Sequence, residues 1–254
     1  GSEEAFASLM NSYAAKLGMK NSHFVNSHGL SAPNHYSTAR DLAILGRAMI
    51  RDFPQTYAYN AMKEYTVGSI TQHNRNTLLW REGSGVDGIK TGHTDNAGYC
   101  LLASARRGDQ RFISIVMGIE TAKQSDGFRL RETGNLQLLE WGFRFFEAHT
   151  LYPAGRKIES QKVWKGTTEI VDLGLAAPLT LSLPRGRYAD LKPVMDVPKQ
   201  LVAPITKGQA IGKLRVSLDG KVLAERPLVA LAAVEEAGFF GRLWDEMWMW
   251  WEAD

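Results

Sequence analysis

The chain reads as an α+β domain, followed by a small all-β domain and a terminal amphipathic helix. Three observations predict this. Helical apolar spacing flanks a block of strand-like runs between residues 86 and 117. After Pro153, short alternating runs are broken by turn residues every few positions. Beyond Gly238, four tryptophans collect in one short segment with helical apolar spacing.

Taken in order, Phe6, Leu9, Met10, Tyr13 and Leu17 fall at helical spacing, and Gly18 follows as a C-terminal stop. A loop rich in Asn, Ser, His and Gly runs from Asn21 to Asn34. Thr38 and Asp41 read as a capping box opening a second helix, with Leu42, Leu45 and Met49 inward and Pro54 beyond its end. A short strand is expected around residues 65–67, then the Asn74-Arg75-Asn76 loop. Residues 86–91, 99–105 and 112–117 read as an antiparallel sheet, with Arg107-Gly108-Asp109 as the tight turn before its third strand. That tripeptide resembles an adhesion motif, but its place between two strands makes it a turn. From residue 129 to 148 the period is helical again, with Leu130, Leu138, Leu139, Trp141, Phe145 and Phe146 as the apolar face. The first domain is thus expected over residues 1–149.

Residues 150–235 carry the all-β pattern. The runs Lys162-Val163-Trp164, 179–183, 210–216 and 228–230 are separated by Gly166, Gly174, Pro184-Arg185-Gly186, Lys207-Gly208 and Asp219-Gly220. Asp219-Gly220 is a two-residue hairpin signal. In residues 236–254, Phe240, Leu243, Trp244, Met247 and Trp251 share an arc opposite Arg242, Asp245, Glu246 and Glu252. The segment from Gly238 to Asp254 holds too many charges to span a bilayer, and its tryptophans suit the headgroup layer, so a peripheral membrane anchor is expected. The other reading is a helix docked on its own protein or on a dimer partner.

Composition sets bounds. The 254 residues are 44% hydrophobic and 22% charged, with a formal net charge of +3. The basic residues are scattered, which argues against nucleic-acid binding. The single cysteine, Cys100, excludes an intrachain disulfide and reads as a small strand residue. The six histidines show no metal-ligand spacing, so neither a metal nor a cofactor is expected. No signal-peptide pattern opens the chain.

The chemistry concentrates in Val86-Asp87-Gly88-Ile89-Lys90-Thr91-Gly92-His93-Thr94. On a strand, Lys90 and Gly92 share one face and Thr91 takes the other. An ammonium meets a carboxylate, a hydroxyl hydrogen-bonds it, and glycine lets a peptide backbone come close to the strand edge, as in β-augmentation. Lys-Thr-Gly is also one of three motifs of penicillin-recognising serine enzymes. Further stretches are Gly29-Leu30, Ser37-Thr38-Ala39-Arg40-Asp41, Asn74-Arg75-Asn76 with Leu78-Leu79-Trp80, and residues 95–99. Beyond these come Trp141-Gly142-Phe143-Arg144-Phe145-Phe146-Glu147, Pro184-Arg185-Gly186 and Gly238-Phe239-Phe240-Gly241-Arg242. With them, the chain resembles the low-molecular-weight penicillin-binding proteins, the serine D-alanyl-D-alanine carboxypeptidases of the penicillin-binding protein 5 type (peptidase family S11).

The resemblance implies that residues 1–149 are the C-terminal part of a penicillin-recognising, β-lactamase/transpeptidase-like domain. It implies a cleft lined by Lys90, Thr91, Gly92 and His93, with Arg75 and Arg131 assisting at a substrate carboxylate. It implies a peptidoglycan stem peptide ending in D-Ala-D-Ala as substrate and β-lactams as inhibitors. The expected home is the bacterial periplasm, at the outer face of the cytoplasmic membrane. A β-lactamase is disfavoured by the β-domain and tail. No serine here stands in Ser-x-x-Lys or Ser-x-Asn. No catalytic residue is therefore assigned, and the chain is expected to be an N-terminally truncated enzyme, inactive alone. The alternative is a non-catalytic, membrane-attached cell-wall binding or scaffold module.

Overall fold

The computed structural model describes residues 1–238 and Asp245, in two compact units, residues 1–145 and 146–254. In the first unit, α1 (Glu3–Leu17) is capped by Ser2, whose hydroxyl accepts from the Ala5 N–H at 3.2 Å, and stops at Gly18 with φ +84°. Thr38 caps α2 (Ala39–Asp52) by accepting from Asp41 N–H at 3.2 Å. Only half of the expected capping box forms. The buried Asp41 carboxylate turns away and accepts from Asn21 N–H and Ser22 Oγ, both at 2.7 Å, so it fastens the preceding loop to the helix start. Pro54 lies beyond the end of α2, as expected, and opens the short α3 (Pro54–Tyr57).

An exposed hairpin, β1 (Glu64–Val67) with β2 (Ile70–His73), leads through the Arg75 loop and a 3-10 turn to the central sheet. That sheet has the order β3 (Val86–Thr94), β4 (Gly98–Arg107), β5 (Gln110–Ile119), all antiparallel. Arg107, Gly108 and Asp109 make the β4–β5 turn, with Gly108 at φ +59°. The middle strand is buried on both faces, and its period of two sorts the core. Leu101, Ala103 and Ala105 pack with Leu139 and Phe143 of α4 (Gln124–Phe145). Leu102 packs with Ile89 and Tyr57 on the other side, against Met49 and Ile50 of α2.

Two predicted helix faces are corrected. On α1 the buried residues are Ala7 and Ala14, while Phe6, Leu9 and Tyr13 are exposed. On α4, Leu130, Leu138, Trp141 and Phe145 are exposed, and the buried face is Gly127, Arg131, Asn135, Leu139, Gly142 and Phe143. The cause lies in the sheet. A Cβ on Gly127, Gly134 or Gly142 would come within 2.2 Å of Tyr99, 3.1 Å of Val116 or 3.1 Å of Phe112. Large side chains on the sheet occupy the space, and the helix meets them with its small residues. The helix also ends at Phe145, and Phe146 already belongs to a strand.

The second unit pairs β6 (Phe146–Tyr152) with β9 (Leu179–Pro184). Its main sheet is built from β7 (Lys157–Trp164), β8 (Ile170–Gly174), β10 (Lys192–Asp196), β11 (Leu201–Val202), β12 (Ala210–Leu218) and β13 (Lys221–Ala230), in the order β10-β12-β13-β8-β7-β11. Asp219 and Gly220 turn the β12–β13 hairpin with φ of +50° and +77°, the doubly left-handed turn their sequence foretells. Apolar clusters around Leu173 and Leu214 form its interior. The expected terminal helix lies outside the described residues, apart from Glu236, Ala237, Gly238 and Asp245; Asp245 accepts from the Lys165 N–H at 2.5 Å. Among the described residues, no helix is long and apolar enough to cross a membrane.

Candidate functional site

A cleft of about 910 Å³ opens in the first unit, and all six residues singled out from the sequence line it: Arg75, Lys90, Thr91, Gly92, His93 and Arg131. Strand β3 contributes the central four. It stands at the end of its sheet, so one edge has no strand beside it among the described residues. On that strand Gly92 pairs with Cys100 and His93 with Tyr99. A Cβ at Gly92 would meet only Cys100 Cβ, at 3.9 Å, so the wall is open there.

His93 is fixed by an aromatic stack. Its ring lies 3.9 Å from that of the buried Tyr99, which meets Phe128 of α4 edge-on at 5.6 Å. Arg131 continues the series, its guanidinium 4.7 Å from the Phe128 ring. It is 2% exposed. Its Nη1 donates to the carbonyls of Gly92 and Cys100, both at 3.4 Å, and its Nη2 to that of Arg75 at 3.3 Å. Its Nε is buried without a partner. One side chain thus spans β3, β4 and the Arg75 loop, through long hydrogen bonds that leave donor capacity unused.

The cleft lining is cationic. Burial holds the Lys90 ammonium below the ordinary lysine value, and the neighbouring charges of Arg75 and Arg131 lower it further. Burial likewise lowers Arg131, with Arg75 adding to the effect. In the free protein the Lys90 ammonium donates to the Thr91 carbonyl. No described residue lining the cleft is acidic. Glu132, outside the cleft lining, partly offsets the charge of the buried Arg131. Within the lining itself Lys90, Arg75 and Arg131 meet no carboxylate, and an anionic ligand would be drawn to them.

Sequence reasoning missed the opposite wall. Phe24, Asn26, Ser27 and His28 from the loop after α1, and Leu42 and Leu45 of α2, face the same cleft. Asn26 folds that loop on itself, donating to the Leu30 carbonyl at 3.0 Å and accepting from Gly29 N–H at 2.8 Å. Ser31 Oγ then ties it to Thr94 Oγ1 at 3.1 Å. The sequence signals here were the run of Asn, Ser, His and Gly, which marks a loop without saying where it lies, the Gly29-Leu30 stretch, and the inward reading of Leu42 and Leu45. Cys100 also faces the cleft, half-buried.

Residues 1–121 match the D-alanyl-D-alanine carboxypeptidase family model. Residues 146–236 match that of the penicillin-binding protein 5 C-terminal domain. The chain is 46% identical over 250 residues to the D-alanyl-D-alanine carboxypeptidase DacC of Escherichia coli, covering 98% of this chain and 61% of that protein. It is 47% identical over 246 residues to DacA of the same organism, covering 96% and 60%. It therefore spans about three-fifths of the length of these relatives. The crystal structure of penicillin-binding protein 5 from Haemophilus influenzae superposes with a TM-score of 0.78 at 41% identity, over 92% of this chain and 67% of that one. A lysine-bearing edge strand in a cationic cleft, with these two family matches in succession, makes the chain a member of the D-alanyl-D-alanine carboxypeptidase family, of the penicillin-binding protein 5 type.

Proposed function

We propose that this chain forms the carboxylate-recognising wall of a serine-type D-Ala-D-Ala carboxypeptidase acting on peptidoglycan stem peptides. The observation that carries the reading is the gathering of Lys90, Arg75 and Arg131 in a cleft whose described lining holds no acid. An extended peptide adds to the free edge of β3, Gly92 admits its backbone, and the Thr91 hydroxyl and the Lys90 and Arg75 charges meet its terminal carboxylate. The buried Arg131 contributes charge and holds the wall together.

In the complete reaction, a serine attacks the carbonyl between the two terminal D-alanines and a lysine takes its proton. D-Alanine leaves with that proton, and water then releases the trimmed peptide from the serine ester. No serine in this sequence is followed three residues later by lysine, so the chain alone binds without turning over. β-Lactams, the ligands for which such proteins are named, are accordingly expected to leave no covalent adduct on it. Residues 238–254, with their tryptophans, are assigned to the membrane surface on the periplasmic side.

Calorimetry with a peptide ending in D-Ala-D-Ala tests the reading. Binding that is lost when the peptide is C-terminally amidated, or when Lys90 is replaced by alanine, is the expected result. Equal binding of the acid and the amide overturns it. Intact mass after exposure to a fluorescent penicillin tests the second part, and a stoichiometric adduct would show a nucleophile within this chain.

A further inference from the structure

Asn76 lies behind the cleft, 2% exposed and not part of its lining. It follows Arg75 directly, and its Nδ2 donates to the Gly88 carbonyl at 3.0 Å, two residues before Lys90. Its own N–H donates to Asn74 Oδ1 at 2.9 Å, and Asn74 in turn donates to the carbonyls of Asn60 and Met62 at 3.3 and 3.0 Å. The strand is held from a second side as well. A Cβ at Gly88 would lie 2.7 Å from Tyr57 Oη. Next to it, Asp87 accepts from the Tyr57 hydroxyl at 2.9 Å and from both Nη atoms of Arg111, at 2.8 and 2.7 Å.

Strand β3 therefore has little freedom at Gly88, and Asn76 transmits its position to the Arg75 loop. The Asn76 Oδ1 is buried without a partner. An amide so placed carries a desolvation cost on its acceptor, which an apolar residue of the same size avoids. What the apolar residue lacks is the donor to Gly88. We propose that Asn76 is a positioning residue, whose hydrogen bond to the Gly88 carbonyl fixes the spacing of Arg75 from Lys90 and hence the charge pattern a ligand carboxylate meets. The proposal rests on reading the cleft as a carboxylate site. Arg131, by donating to the carbonyls of Arg75 and Gly92, holds the third corner of the same pattern.

The test uses the full chain with carbon-13-labelled lysine, Lys90 being assigned with Lys90→Arg. Its readouts are the Lys90 titration by NMR, the affinity for diacetyl-Lys-D-Ala-D-Ala, and the melting temperature. In Asn76→Ala, Lys90 is expected to titrate closer to an ordinary lysine, and affinity to fall about tenfold, as for one lost, well-placed hydrogen bond. Phe143→Leu, a core change at the far end of α4, should lower the melting temperature and move neither of the other readouts. A folded Asn76→Ala chain with wild-type titration and affinity overturns the proposal. If that variant does not fold, Asn76→Leu, which fills the site without a donor, decides in the same terms. The wild-type chain gives a check free of variants. The Asn76 side-chain amide protons should exchange slowly with solvent, and fast exchange overturns the hydrogen bond. If wild-type chain does not bind the peptide, the carboxylate reading falls, while the Lys90 titration still decides whether Asn76 positions that side chain.

Discussion

Gly92 shows what a missing side chain is for. Its Cβ position is empty apart from Cys100 at 3.9 Å, and its φ is not in the left-handed region, so alanine fits the free protein. Gly92→Ala should leave stability within about 0.5 kcal/mol of wild type, as surface changes do, and weaken peptide binding by standing where the ligand backbone must lie. Unchanged affinity by calorimetry would end the close-approach reading. Lys90 gives a pH prediction. Its ammonium is held below the ordinary lysine value of 10.5 by burial and by Arg75 and Arg131. Peptide affinity should thus begin to fall at a pH below 10.5, once the free ammonium loses its proton. Calorimetry across that range checks this, and a Lys90→Arg chain should hold its affinity further into alkali. These residues were legible in the sequence because Lys90, Thr91, Gly92 and His93 are contiguous and each brings a distinct chemical group. Asn26 and Leu42 were not, because their place in the cleft depends on how a loop folds over a helix start, through Asp41, Ser22 and Asn21.

At the level of elements, the end of α1 at Gly18 and the start of α2 at Thr38 were readable, whereas the faces of α1 and α4 and the bounds of α4 were not. Gly18 and Thr38 act locally, within a turn of the backbone they cap. Which face of α4 turns inward depends on Tyr99, Phe112 and Val116 in other strands, against which Gly127, Gly142 and Gly134 make room. Apolar periodicity alone found the buried Leu139 but otherwise selected side chains that stay in solvent, Leu130, Leu138, Trp141 and Phe145. The anchorage of β3 carries its own prediction. Burial pushes the Tyr57 phenol from 10.0 up to about 12, and its neighbour Asp87 adds to the rise. Between those values the unfolded chain gives up the proton first, so stability should fall as pH rises through the interval. Tyr57→Phe should flatten that fall, at a cost of about 1 kcal/mol near neutrality for the lost hydrogen bond to Asp87. Denaturant melts at several alkaline pH values measure both effects, and an equally steep fall in the variant would assign the alkaline loss elsewhere.

Over the whole molecule, each unit has its own buried apolar clusters. The second is lined by Leu173, Leu175, Leu179, Leu183, Leu214 and Leu228, each fully buried. Residues 146–238 should fold alone into a cooperative β-protein, and a dispersed NMR spectrum of that fragment would verify it. A collapsed spectrum would mean that its apolar clusters do not suffice. The first unit leaves Phe6, Leu9 and Tyr13 of α1 and Leu130, Leu138, Trp141 and Phe145 of α4 exposed. The change of turn density after Pro153 is a signal that needs no tertiary information, while the two compact units divide earlier, between Phe145 and Phe146. Cys100, by contrast, read as an ordinary strand residue, and its position in the cleft gives it another use. As the sole thiol of the 254 residues, half-buried across the ladder from Gly92, it offers one attachment point for a maleimide dye in the unaltered sequence. A fluorophore there would sit beside any arriving ligand, turning the molecule into its own optical sensor of occupancy.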